Sequence, residues 1–108
     1  MSSLHADRDS QALIALRNAG SVLSKPHPIE FYLYFPARTD ANDVGVRLRQ
    51  EGFDVAVRVG ADDVNWLVLA KTTMVPEHRL LLELRSRFEA LADSLGGEYD
   101  GWEAMVVR

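Results

Sequence analysis

Between Ile29 and Phe35 the side chains alternate without a break. Ile29, Phe31, Leu33 and Phe35 are apolar, and Glu30, Tyr32 and Tyr34 fill the places between them. A repeat of two belongs to an extended chain, so the segment is a strand with one wholly apolar side. Pro36, which has no N–H to give to a ladder, ends it. One strand cannot bury such a side alone, so the rest of the chain must supply neighbouring strands and a covering layer.

The neighbours are readable. "FDVAVRV" alternates with Phe53, Val55, Val57 and Val59 inward and Asp54 and Arg58 outward, and charge on one side suits an edge strand. "GADD" is a turn. "VNWLVLA" then runs Trp66, Leu67, Val68, Leu69, Ala70 without a polar break, which reads as a central strand buried on both sides. A last strand is expected over 98–107.

Helices fall between these strands. The spacing predicts one over 9–19, with Ala12, Leu13, Ala15, Leu16 and Ala19 on its inner side and Gly20 as its stop. After it, "SVLSKPHPIE" carries two prolines and reads as extended loop. A second helix over 40–51 has Thr39 as its cap, Ala41, Val44 and Leu48 inward, and Gly52 as the residue after its end. Gly45 within it costs about 1 kcal/mol of helix propensity relative to alanine, which close packing on the sheet would offset. The longest helix, 76–95, opens on Pro76 and carries Leu81, Leu84, Phe88, Leu91 and Leu95 as its inner stripe. Glu83 with Arg87 and Arg85 with Glu89 lie four residues apart on what reads as its wet side.

The order is α followed by βαββαβ, which predicts an α+β, ferredoxin-like sandwich with an extra N-terminal helix and a four-stranded antiparallel sheet in a single domain, 1–108. Right-handed crossovers place both later helices on one face, with the first and third strands central. Glu30, Tyr32 and Tyr34 then point to the other face. On the third strand either Trp66, Val68 and Ala70 or Leu67 and Leu69 join them; the tryptophan set is preferred, because leucine packs readily under helices. Several large apolar groups on one bare face form a patch that something should cover. Two covers are open: the N-terminal helix, or a protein partner, self-association included. Aromatics on central strands also resemble an RNA-stacking platform, so a single-stranded RNA-binding module is the alternative. Against it stand Glu30 and a formal net charge of −4, since phosphate binding relies on Lys and Arg.

With 47% hydrophobic and 26% charged residues the chain is globular in composition. It has no cysteine, hence no thiolate nucleophile, disulfide or Cys-type zinc site. His5, His27 and His78 show no metal-ligand spacing and read as surface or loop residues. The serines lie in no nucleophile elbow, and "LGGEYDG" precedes no helix, so it is not a phosphate loop. The reading is therefore non-enzymatic, without cofactor or metal. With no signal peptide and no spanning segment at the start, a cytoplasmic location is the default.

"YDGWE" offers a hairpin turn at Asp100-Gly101, but only Glu98 and Tyr99 separate it from Gly96-Gly97. A strand with Gly101 at a bulge or a close backbone contact is the better reading. A bulge shifts parity, so the face taken by Trp102 stays open. Packing suits Trp102, and exposed Asp100 and Glu103 suit recognition. Glu30, Tyr32, Tyr34, Trp66, Tyr99, Asp100, Trp102 and Glu103 are the candidate binding residues.

The late "EYDGW" after a helix, with "LSKPHPIEFYLYFP", "WLVLA" and a "VP" before the long helix, resembles the regulators of ribonuclease E activity of type B, over roughly 8–105. The resemblance implies a ferredoxin-like fold and direct contact with a ribonuclease that inhibits RNA processing, with no catalytic residues of the regulator's own. The best-known members follow the tryptophan with Gly, where this chain has Glu103, and carry a long acidic tail, where this one stops at Arg108.

Overall fold

A computed structural model describes residues 7–108. Its elements are α1 (Arg8–Asn18), β1 (His27–Phe35), α2 (Arg38–Gln50), β2 (Asp54–Val59), β3 (Trp66–Met74), α3 (His78–Ser94) and β4 (Glu98–Ala104). The four strands form one antiparallel sheet in the order β2-β3-β1-β4, so the first and third strands are central, as the pattern requires. The chain is thus an α+β protein with three helices and a four-stranded antiparallel sheet.

The alternation of β1 decides the core. Ile29, Phe31, Leu33 and Phe35 are fully buried with Ala41, Val44 and Leu48 of α2 and Leu81, Phe88 and Ala92 of α3. Both later helices therefore cover one face. Phe31, Phe53, Phe88 and Tyr99 form its aromatic centre, with ring centroids 5.4–6.1 Å apart in edge-on and tilted pairs.

Several boundaries differ from expectation. α2 begins at Arg38 with Ala37 at its N-cap and no side-chain cap, so Thr39 is already helical and exposed. α3 begins at His78 behind Glu77, which leaves Pro76 before the helix instead of in its first turn. β1 starts at His27 and includes Pro28, which lies in the overhang where β1 pairs with β3 but not with β4. Gly52 has φ +100° after the end of α2, as its place after the helix predicts. A Cβ on Gly45 would lie 2.9 Å from Val57 Cγ2, so α2 meets β2 closely there and alanine would force Val57 or the helix to shift. At the outer strand β2, Arg49 Nη2 donates to the Val55 carbonyl at 3.0 Å.

α1 decides between the two covers left open for the sheet. It does not lie across the helix-free face of the sheet. It joins the helix layer beside α3, with Leu13 in the common core. Asp9, Leu13 and Leu16 are its buried residues, while Ala15 and Ala19 are exposed. The Asp9 carboxylate, 1% exposed, accepts from Arg85 Nε at 2.9 Å, Arg85 Nη2 at 2.8 Å and Trp102 Nε1 at 2.9 Å. That carboxylate is the clamp that ties α1 to α3 and β4. Hydrogen bonding to Asp9 is the first cause of a raised Arg85 pKa. Arg85 does reach Glu89 at 3.8 Å, as the i,i+4 spacing predicts, but its side chain is only 16% exposed and its closer partner is Asp9. Glu83 likewise pairs with Arg79 at 3.2 Å, and Arg87 with Glu51.

Candidate interaction face

The register settles which residues share the helix-free face. Val68 and Ala70 lie opposite Leu33 and Phe31, and Trp66 opposite Phe35, so Trp66, Val68 and Ala70 point toward the helices. The preferred assignment was the reverse, and it is overturned. Trp66 sits beneath Arg38, whose guanidinium carbon is 5.2 Å from the ring centroid. Leu67 and Leu69, opposite Tyr34 and Tyr32, take the other face.

β4 holds the second correction. Tyr99 pairs with Leu33 and Trp102 with Phe31, and the register shifts between them. Asp100 and Gly101 are the extra residue's place, and Gly101 has φ +98° with nothing near its missing Cβ. Glycine is required there by the bulge conformation, not by a close contact. Because the bulge inserts one residue, Tyr99 and Trp102 both face the helices and lie apart from the other candidates on the helix-free face. Tyr99 is 6% exposed and its hydroxyl has no hydrogen-bond partner among the described residues.

Of the eight candidates, the fold brings together Glu30, Tyr32, Tyr34 and Glu103 on the helix-free face, with exposed Asp100 at the bulge beside them. Glu98, opposite Tyr34, belongs to the same strip and was not singled out from the sequence. Tyr32 Oη donates to Glu103 Oε2 at 3.2 Å; burial, then this bond, raises the Tyr32 pKa. The two tyrosines and Glu30 are half-buried.

The face is less greasy than the sequence suggests. Leu67 and Leu69 are only 5% and 4% exposed, with tyrosine on one side and Arg58 or Ala56 on the other. What the strip offers a partner is aromatic rings and carboxylates rather than bare aliphatic surface. Where β1 and β4 meet the β2–β3 loop, a groove of about 280 Å³ is lined by Tyr34, Ala61, Asp62, Asn65, Glu98 and Asp100. Asp62 is fixed in its wall: its carboxylate accepts from the backbone of Val64 and Asn65 at 3.0 Å each, and these bonds lower its pKa.

Two serine–histidine contacts lie away from this face. His27 is fully buried, contrary to its reading as a surface or loop residue. Its Nδ1 donates to the Lys25 carbonyl at 2.7 Å, its Nε2 meets Ser21 Oγ at 2.9 Å, and Ser21 Oγ accepts from Val107 N at 2.8 Å. This arrangement fastens the chain after β4 to the start of β1. His78 Nε2 meets both Ser10 Oγ at 2.9 Å and Asp7 Oδ2 at 3.0 Å. One ring nitrogen serves both partners, whereas a catalytic triad divides them between two. Both contacts hold segments together. His5 lies outside the described residues.

The model of the family described as regulator of ribonuclease activity B, RraB, matches residues 6–104. The chain belongs to the RraB family. The match spans α1 through β4 and so includes the whole strip and the clamp behind it. No curated protein matches the chain. The RraB family is described as a regulator of ribonuclease activity, with which a regulatory role for this chain is consistent. No helix among the described residues is long and apolar enough to cross a membrane.

The buried phenol of Tyr99 makes a test of the RraB core. Burial drives its pKa well above the ordinary value, only partly opposed by Arg85, whose guanidinium carbon is 5.3 Å from the ring centroid. The folded chain then holds this proton where the unfolded chain has lost it. The resulting stability is complete below the ordinary tyrosine value of about 10 and declines as pH rises from there toward the raised folded value. Urea unfolding across that range should show the decline, and Tyr99→Phe should flatten it.

Proposed function

We propose that this protein is a single-domain, non-catalytic, cytoplasmic regulator that acts by direct contact with a ribonuclease through the helix-free face of its sheet. Family membership over residues 6–104 carries the reading. The βαββαβ order with central first and third strands supports reading the fold as a ferredoxin-like sandwich with one sheet face free of helices. The uncovered strip of Glu30, Tyr32, Tyr34, Glu98 and Glu103 supports that use of the face, because half-buried tyrosines offer rigid contact area at low entropic cost. Its carboxylates argue against RNA as the ligand.

The test is capture of a ribonuclease from the source cell on immobilised protein, with RNA cleavage followed at increasing protein concentration. Wild-type protein should retain the nuclease and slow cleavage. Tyr34→Glu should weaken retention by about tenfold or more, the scale of a lost interface anchor. Undiminished inhibition by that variant would remove the face from the mechanism.

A further inference from the structure

We infer that the β1–β4 strip is the seat of an extended cationic protein segment whose Arg or Lys side chains stand four residues apart. The charges are divided across the helix-free face. Its β2–β3 half carries Arg58 and Lys71 with Asp54, whereas its β1–β4 half carries Glu30, Glu98 and Glu103, joined by Asp100, and no cation.

Two places on that half call for positive charge. Glu30 and Glu103 are directly opposed across the ladder. Like charges so placed repel and weaken a sheet, and neither residue makes an ion pair among the described residues. Lys71, opposite Glu30 on β3, makes no ion pair with it either. The second place is the groove over Tyr34. Asp62, Glu98 and Asp100 supply carboxylates, and the ring supplies a face for a cation. Glu98 and Asp100 have no hydrogen-bonding or ion-pair partner among the described residues. Glu30 and Tyr34 are four residues apart on one strand, or about 13 Å, and an extended segment covers that distance in four residues. A cation at each end would relieve the opposed pair and fill the groove together. Arginine suits the groove best, since its planar group both stacks on tyrosine and forks to a carboxylate.

The inference rests on the regulatory reading for the class of partner, and the experiment separates them. Three probes are titrated into isotope-labelled full-length protein at low salt and followed by amide chemical shifts. The first is a nonapeptide in which successive arginines are separated by three serines. The second has the same composition with its arginines contiguous, and the third is a uridine oligonucleotide. The spaced peptide should shift the amides of Glu30, Tyr34, Glu98, Asp100 and Glu103 and bind tighter than the contiguous one. Tyr34→Ala should weaken it by about three- to fivefold, the contribution of one exposed cation–π contact. The shifts should shrink as salt is raised. Equal affinity for the two peptides, shifts elsewhere, or shifts of the strip by the oligonucleotide alone would overturn the inference. If Tyr34→Glu abolishes ribonuclease inhibition while the strip ignores the peptides, the inference fails and the regulatory reading stands. If the strip takes the spaced peptide in a protein without effect on any ribonuclease, the reverse holds.

Discussion

Asp9→Ala is expected to lower the stability of the fold by about 3–5 kcal/mol, the cost of removing one partner from a buried ion pair. Three donors converge on this carboxylate, two from Arg85 and one from the Trp102 indole. Arg85 is 16% exposed, so its guanidinium would be left short of water and with only Glu89, at 3.8 Å, as a counter-charge. Asp9→Asn should recover only part of the loss, since an amide oxygen can accept from Trp102 but carries no charge. The double variant Asp9→Leu with Arg85→Met should lie much closer to wild type than Asp9→Ala, because an apolar pair of similar volume avoids the desolvation cost of both ions. Urea unfolding of the four proteins provides the measurement. A loss below about 1 kcal/mol in Asp9→Ala, the range of a surface pair, would show that α1 is not held by this clamp.

Gly97→Ala is the second large effect. A Cβ at Gly97 would sit 2.2 Å from the Tyr34 carbonyl oxygen and 2.8 Å from Phe35 Cδ1. The first is backbone of a central strand and cannot turn aside. β4 would have to withdraw from the end of β1, at a cost of about 3 kcal/mol, the upper end of ordinary overpacking. Gly96→Ala gives a contrast: there the nearest atom is Pro36 Cγ at 4.0 Å, but φ is +70°, so the penalty is backbone strain alone. That penalty is about 1–2 kcal/mol. The thermal midpoint should fall further for Gly97→Ala than for Gly96→Ala, and the reverse order would contradict the packing at this junction.

Strand periodicity carried most of the fold. The alternation of Ile29 to Phe35 placed the core side of β1 correctly, and charge on "FDVAVRV" placed β2 at an edge. Failure came where a pattern has no internal parity. Trp66 to Ala70 is apolar throughout, so nothing within it distinguishes its two faces, and only pairing with β1 shows that Trp66 points toward the helices. Trp102 was undetermined because a bulge reverses every later side chain, and the bulge has to be located before the face can be read. Asp9 was missed for another reason. Its partner Arg85 is 76 residues away, and each looks like an ordinary solvated charge on its own helix. A signal existed: Asp9, Leu13 and Leu16 follow steps of four and three, which sets an acid on the apolar stripe of α1.

The hand that Arg49 lays on the Val55 carbonyl has a consequence for how the molecule behaves in a crowded cell. A strand at the border of a sheet invites another chain to continue the ladder, and growth of that kind ends in fibres. On the β2 side one of the needed acceptors is already engaged, and on the β4 side the kink at Gly101 throws the ladder out of step. Both margins of the sheet thereby offer a further strand an interrupted ladder rather than a clean one.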